Sequence, residues 1–491
     1  MRGRKAAAAV KALITDQETG YVINHIGYAI NRLPYPSLQT TMKRKQTLWR
    51  TKMKDGFFKQ AMGIAVPVAL QSMLQSSFSI IDQLMVGQLG ETAVAAVEIG
   101  GKPGFVFSFV CGAVATVTGI MVSQYMGKKD EEKINTSMTL NLCVAFFIAL
   151  LTFLLCFAFP AGCAQIFTND ASVISSASSY IRIISIVHPL SSIATILAVQ
   201  IRCKDHSEYP LYISAACAVI NTALNYVLIF GHLGFAAMGI QGAAIASVVS
   251  QTANLLLMLL VHKKLVQFRF NFSMTASETK QYAVILLPIV MNEFLWTLGQ
   301  NVNTFVYGHI GTDALAGMSL TGPVQGLFIG ALSGLAQAAG ILIGKRLGEK
   351  DFERAYGESK KLCLYGFIGS LVLSLALFFS ARIYTGFYNV SGEVRNIGAG
   401  LLVAFAVLAP AKVANMILGG GIIRSGGRTK YIMIIDMLGT WLVGVPLGLF
   451  TGLVLRLPIV WVYFILSQEE LVRLVITIFM FRSRKWMNTI E

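Results

Sequence analysis

The sequence predicts an all-α integral membrane protein of twelve transmembrane helices, built as two parallel-repeat six-helix lobes. Of its 491 residues, 55% are hydrophobic and only 13% are charged, with a mean hydropathy of +0.64. A soluble protein of this size needs more charge to cover its surface. The charges form short clusters between apolar stretches of about twenty or more residues, which are long enough to cross the ~30 Å hydrocarbon core. Barrel strands are shorter and alternate, so these stretches indicate helices.

The apolar stretches also predict an orientation. The predicted spans are 60–84, 93–123, 135–158, 178–202, 210–230, 240–262, 282–306, 313–344, 360–380, 396–423, 431–454 and 458–481. The loops on the side of the amino terminus hold twenty-one Lys and Arg residues, and the opposite loops hold three: Arg382, Arg395 and Arg456. The positive-inside rule therefore predicts a multi-pass protein of the cell membrane with both termini in the cytoplasm.

An internal repeat divides the chain. Shifted by 221 residues, positions 59–132 match 280–353 at 18 of 74 positions, where composition alone gives about five or six. The shift pairs Pro67 with Pro288 and still holds at Pro189 and Pro410. Six spans is an even number, so both copies run in the same direction. We expect an N-lobe over 57–270, a C-lobe over 271–491 and a substrate path between them.

Residues 1–56 precede the first predicted span. They hold eleven Lys and Arg residues against three acids and show no pattern that buries a core. We expect a disordered cytoplasmic extension; a polybasic arm that binds lipid headgroups is the alternative. Met53 would make a natural start, so the natural protein could lack residues 1–52.

Composition and motifs exclude several classes of function. The net charge of +16 is spread over many loops instead of one patch, which argues against a nucleic-acid partner. The seven cysteines show no metal-binding spacing, and no Walker A motif is present. No nucleophile–base pair stands out, so we predict neither an enzyme nor a bound cofactor.

Polar residues in three N-lobe spans predict an ion site. Asp82 lies in the first span, Asn221 and Asn225 lie one helical turn apart in the fifth, and Ser247 lies in the sixth. At 1.5 Å per residue Asp82, Asn225 and Ser247 fall within roughly 8–11 Å of the outer helix ends. Oxygen atoms at one depth can bind a cation such as Na⁺ or hold a protonatable acid. Each asparagine alone could equally join two helices.

The second half carries different groups. Glu293 is an acid inside the seventh span, and Asn303 is the repeat partner of Asp82. An intramembrane acid is by default a functional hypothesis. Four prolines lie inside predicted spans, where each frees a backbone carbonyl and favours a bend: Pro67, Pro189, Pro288 and Pro410.

These residues resemble the multidrug and toxic compound extrusion (MATE) family from about residue 57 to the end. The motifs that carry the resemblance are the first-span pattern from Pro67 to Gly90, SQYMGKKD, NTALNYVLIFGHLGFAAMGIQGAAIAS and IIRSGGRTK. The resemblance implies two six-helix lobes, exchange of substrate for H⁺ or Na⁺, and an N-lobe cation site at Asp82, Asn221, Asn225 and Ser247. It also implies bending of the first span at Pro67.

The sequence departs from one branch of that family. That branch carries a seventh-span glutamate eight residues after the proline, where this chain has Trp296, and an aspartate in the tenth span, where this chain has no acid. A C-lobe Na⁺ site of that type is therefore not expected. Glu293, Trp296 and Asn303 are instead predicted to line the substrate path.

We therefore predict a monomeric secondary transporter that exports small amphipathic, cationic organic compounds in exchange for H⁺ or Na⁺. A lipid-linked oligosaccharide flippase is the nearest alternative, but its cavity should hold several cations for pyrophosphate. An ion channel is an alternative from another class, and it does not explain the tandem repeat.

Overall fold

The computed structural model describes residues 36–490, with side chains from Gly56 onward. Every regular element in that range is a helix, and the chain from Ala61 onward forms one compact unit. The division into an N-lobe over 57–270 and a C-lobe over 271–491 therefore stays a prediction, and the two names are used below for these two ranges of the chain. The predicted extension over 1–56 lies largely outside the described residues, so its disorder stays a prediction.

The first half contains eight helices from residue 36 onward. Their bounds are α1 Pro36–Gly87, α2 Glu91–Lys128, α3 Glu131–Ala158, α4 Pro160–Gln165, α5 Ala171–Ile184, α6 Val187–Cys203, α7 Glu208–Phe230 and α8 Gly239–Leu265. The second half contains α9 Ala276–Ile310, α10 Thr312–Gly348, α11 Phe352–Gly386, α12 Gly392–Asn415, α13 Thr429–Met437, α14 Val445–Leu449, α15 Ile459–Leu466 and α16 Glu469–Arg482. Three π-helical segments join helices of the second half: Met416–Ile423, Leu438–Gly444 and Phe450–Val454.

The helices confirm a multi-pass, all-helical membrane protein but not the count of twelve spans. Within the described range, ten helices are long and apolar enough to cross a membrane, and α5 with α6 form an eleventh span bent by 42°. The predicted twelfth span, 458–481, is divided between α15 and α16. It carries Glu469, Glu470 and Arg473 near its middle, and these charges lower its apolar character below that of a simple lipid-facing span.

The four prolines differ in what they do to their helices. The break between α5 and α6 falls at Ser185–Ile186, just before Pro189. The helices run on through Pro67, Pro288 and Pro410. A proline removes one backbone hydrogen bond, while the turns on either side keep theirs. Bending at these three positions therefore stays a prediction.

The π-helical segment Met416–Ile423 explains a change in the repeat. Ile196 and Leu197 match Ile417 and Leu418 at the offset of 221, whereas Arg202 matches Arg424 at 222. A π-helical turn holds one residue more than an α-helical turn. The segment thus accommodates one extra residue within the span and keeps the two arginines at equivalent positions.

Glycines let α10 approach helices of the first half. A side chain on Gly334 would collide with the carbonyl of Ala65 in α1, and one on Gly348 with the carbonyl of Gln124 in α2. Small residues at such points let helix backbones come together in a membrane. Gly334 and Gly348 of α10 thus lie against helices of the first half.

Candidate functional site

Helices α1, α7 and α8 bring the predicted N-lobe cluster together. Asn225 Nδ2 donates to Asp82 Oδ1 at 2.8 Å and to Asn221 Oδ1 at 3.3 Å. Asn221 Nδ2 donates to Ser247 Oγ at 3.5 Å and to Ser250 Oγ at 3.3 Å. The predicted residues therefore form one connected group. Ser250 belongs to it as well, and the sequence reasoning missed it although it lies one turn beyond Ser247.

The side-chain amide of Asn221 faces the carboxylate of Asp82. The orientation that satisfies this amide turns its nitrogen toward the acid and donates to both carboxylate oxygens at 3.2 Å; in the opposite orientation Asn221 Oδ1 lies at that distance from both. Asn225 is 2% exposed, and its Oδ1 has no hydrogen-bond partner among the described residues. Oxygens that carry only lone pairs repel one another unless a proton or a cation lies between them, or unless the Asn221 amide turns over and donates instead.

The donor set fits either coupling ion. A proton on Asp82 would form a hydrogen bond to Asn221 Oδ1, and the free oxygen of Asn225 could join the carboxylate around Na⁺. Both ions remove the repulsion among these oxygens and the charge of an intramembrane carboxylate. The group can therefore exist in a loaded and an unloaded form.

The three residues predicted to line a path in the C-lobe do not form one group. Glu293 Oε1 lies 3.9 Å from Arg424 Nη1. Asn303 is buried, and its Oδ1 has no partner in the described part of the chain. Trp296 is 39% exposed, and none of the three lines the N-lobe cavity described below. Their part in a substrate path therefore stays a prediction.

A buried charge network in the C-lobe escaped the sequence reasoning. Arg473 Nη2 lies 2.5 Å from Asp436 Oδ1, and Arg473 Nη1 lies 3.5 Å from Glu470 Oε2. Glu470 also accepts from Asn415 Nδ2 at 2.9 Å and faces Lys412 Nζ at 3.8 Å. Lys412, a cation inside the predicted tenth span, thus faces a carboxylate. The spacing of Glu470 and Arg473 at i, i+3 in α16 was the signal for this network.

A polar cavity of about 350 Å³ lies between the N-lobe helices and α10. Gln71 Nε2 donates to Ser214 Oγ at 2.7 Å on its wall. Arg202 Nη2 donates to Gln71 Oε1 at 2.8 Å, and Arg202 Nη1 donates to Gln337 Oε1 at 3.2 Å. The count of Lys and Arg residues in the loops included Arg202, because Arg202 falls on the boundary of the predicted fourth span. Its side chain instead lines the cavity.

A repeated set of membrane-spanning helices, an intramembrane carboxylate and a polar cavity between the halves are the features of a secondary transporter. The family model MatE matches residues 67–227 and again residues 288–450. These two matches start at the pair of prolines that defines the internal repeat. The chain belongs to the MatE family of transporters.

Individual relatives agree with this assignment. The chain is 21% identical to the uncharacterized transporter YisQ of Bacillus subtilis, over 86% of this chain and 93% of that protein. It is 25% identical to the probable multidrug resistance protein NorM of Bacillus cereus, over 79% and 87%. The Vibrio cholerae MATE transporter VcmN has the same fold, with a TM-score of 0.80 and 16% identity over 88% of this chain and 99% of VcmN.

Proposed function

We propose that this chain is an antiporter that exports small amphipathic organic compounds in exchange for inward movement of H⁺ or Na⁺. The observation that carries the proposal is the group around Asp82, in which an intramembrane carboxylate accepts from Asn225 Nδ2 at 2.8 Å and faces the amide of Asn221 at 3.2 Å, while Asn225 Oδ1 has no partner among the described residues. Such a group gains stability from one bound proton or cation, as a coupling site requires. The relation to the multidrug resistance protein NorM of Bacillus cereus supports small organic compounds as the cargo.

The coupling follows from the position of Asp82 in α1. Binding of an ion removes a charge from a helix that also lines the cavity with Val68, Gln71 and Ser72. Loading at one end of α1 can therefore bias the packing of the helix at the cavity. In this proposal α1 has two packing arrangements, and both the ion and the substrate shift the equilibrium between them. Coupled transport requires such an equilibrium.

The predicted positive charge of the cargo has weaker support. A cationic cargo would be attracted by acids inside the membrane. Two such acids, Glu293 and Asp436, both face arginines. An acid already neutralised by an arginine attracts a cationic compound less strongly. The flippase alternative would need a cluster of cations, and Arg202 is the one cation among the residues that line the described cavity.

The test is efflux from inverted membrane vesicles with the pH gradient and the Na⁺ gradient imposed separately. We expect uptake of a fluorescent organic dye under one of the two gradients and none in vesicles that lack the protein. Collapse of the active gradient with an ionophore should release the dye. Dye uptake that is equal with and without both gradients would overturn the proposal.

A further inference from the structure

The two lobes place different side chains around equivalent arginines. Arg202 lies in the last turn of α6 in the N-lobe, and its repeat partner Arg424 follows the π-helical segment in the C-lobe. Arg424 has a carboxylate opposite it, because Glu293 Oε1 lies 3.9 Å away. Among the residues that the structure describes, Arg202 has only the amide oxygens of Gln71 and Gln337 as hydrogen-bond acceptors.

Serines replace both C-lobe carboxylates in the N-lobe. Position 72, the repeat partner of Glu293 at the offset of 221, is Ser72. Position 214, the repeat partner of Asp436 at the offset of 222, is Ser214. Both serines line the cavity. The amide contact itself is kept: Gln71 donates to Ser214 at 2.7 Å, and Asn292 donates to Asp436 at 2.8 Å.

Arg202 is therefore a cation without a counter-charge. Among residues 56–490, no carboxylate forms an ion pair with it; the nearby Asp205 pairs with Lys345 at 2.9 Å. Its Nε atom is buried and has no hydrogen-bond partner in the same range. A guanidinium has five N–H donors in a planar fork that matches carboxylate and other oxyacid groups. An unsatisfied buried donor of this kind is complementary to an anion.

The rest of the cavity fits an organic molecule that carries such a group. Hydroxyls and amides of Ser191, Thr195 and Gln251 supply neutral polar contacts, and Val68 and Met258 supply apolar surface. Binding pockets for small molecules combine apolar lining with a few placed polar groups.

We propose that this cavity binds small aromatic or aliphatic anions, with Arg202 holding the carboxylate or sulfonate group. The inference rests on the proposed function and names its substrate class. It reverses the charge that the sequence alone predicted for the cargo. In the C-lobe, carboxylates occupy the positions equivalent to the two serines and would repel an anion. The proposed anion site is therefore in the N-lobe.

Two permanently charged probes of the same ring size test the charge preference: 2-naphthalenesulfonate and (2-naphthylmethyl)trimethylammonium. Equilibrium binding to the purified full chain in detergent is measured for each. We expect the wild type to bind the sulfonate more tightly. Arg202→Gln should weaken sulfonate binding by about 10- to 100-fold, since it removes a hydrogen-bonded charge. Arg202→Lys should restore part of the preference, and gel filtration checks folding.

A second variant keeps Arg202 and changes its surroundings. Ser214→Asp places a carboxylate where the C-lobe has Asp436, and Ser214→Asn is its uncharged match. We expect Ser214→Asp to reduce the ratio of sulfonate to ammonium affinity at least ~10-fold more than Ser214→Asn. Equal ratios in the two variants, or a wild type that prefers the ammonium probe, would overturn the inference.

Proteoliposomes separate the sources of the anion and the two proposals. Sulfonate export is compared in liposomes of phosphatidylcholine alone and in liposomes that also contain phosphatidylglycerol. Equal export in the two assigns the site to soluble anions. Loss of sulfonate binding on adding phosphatidylglycerol would mean that a lipid headgroup occupies it and would overturn the soluble cargo. Gradient-driven export of the ammonium probe without sulfonate binding would refute the inference and leave the antiporter proposal standing. Sulfonate binding without gradient-driven export of either probe would refute only the antiporter proposal.

Discussion

The two lobes share a repeat but handle buried charge in opposite ways. In the C-lobe, Arg473 bridges Asp436 and Glu470, and Arg424 faces Glu293. In the N-lobe, Arg202 has amide partners only. Buried ion pairs hold helices in one arrangement, because separating them leaves charges without compensation. The comparison suggests that the C-lobe is the rigid half and that the N-lobe holds the exchangeable ligands.

Loss of Arg473 should have the largest effect on stability. Arg473→Met leaves the carboxylates of Asp436 and Glu470 without their shared partner, which costs about 3–5 kcal/mol for a buried pair. We expect a large fall in the thermal unfolding midpoint, measured by gel filtration after heating in detergent.

The matched variant is Arg202→Met in the N-lobe. It removes two hydrogen bonds to amides and strands no carboxylate, so we expect a loss of roughly 1–2 kcal/mol. If both variants lowered the midpoint equally, the contrast between a rigid and a ligand-binding lobe would be wrong.

Glu293→Gln should have a smaller effect. Its side chain is 31% exposed, and the 3.9 Å contact with Arg424 is long for an ion pair, so we expect a stability loss of about 1 kcal/mol or less. Since the guanidinium of Arg424 faces this acid and offsets part of its charge, efflux of cationic and neutral dyes should fall by the same factor. The measurement is the initial efflux rate for one dye of each class. A selective loss for the cationic dye would instead support the substrate role that the sequence predicted.

The sequence predicted most of the fold because the governing signals are local. Apolar length predicted the helices, and the 221-residue offset predicted the two halves that the family model matches separately. The Asp82 group was also predictable. The asparagines share a helix face, and the depth of Asn225 matches that of Asp82, so proximity needed only the correct order of helices.

The cavity and the C-lobe network were missed for specific reasons. Arg202 lies at a span boundary, where the long side chain of an arginine reaches either water or the interior, and sequence does not tell which. The network depends on Asp436 and Arg473, which are 37 residues apart and meet only when α13 packs beside α16. Closer use of the repeat would have helped, because it pairs Ser214 with Asp436 and Arg202 with Arg424.

The most direct test of the account is the coupling role of Asp82. In proteoliposomes, one charge moving through 100 mV supplies ~2.3 kcal/mol, close to the roughly 2.7 kcal/mol that a hundredfold gradient of neutral substrate requires. Asp82→Asn should therefore abolish concentration of substrate against a gradient, with folded protein and equilibrium substrate binding retained. Asp170→Asn is the control, because this variant makes the same chemical change at the exposed N-cap of α5. The Asp170→Asn variant should transport like the wild type. If Asp82→Asn still concentrates substrate, the coupling ion binds elsewhere and the central claim is wrong.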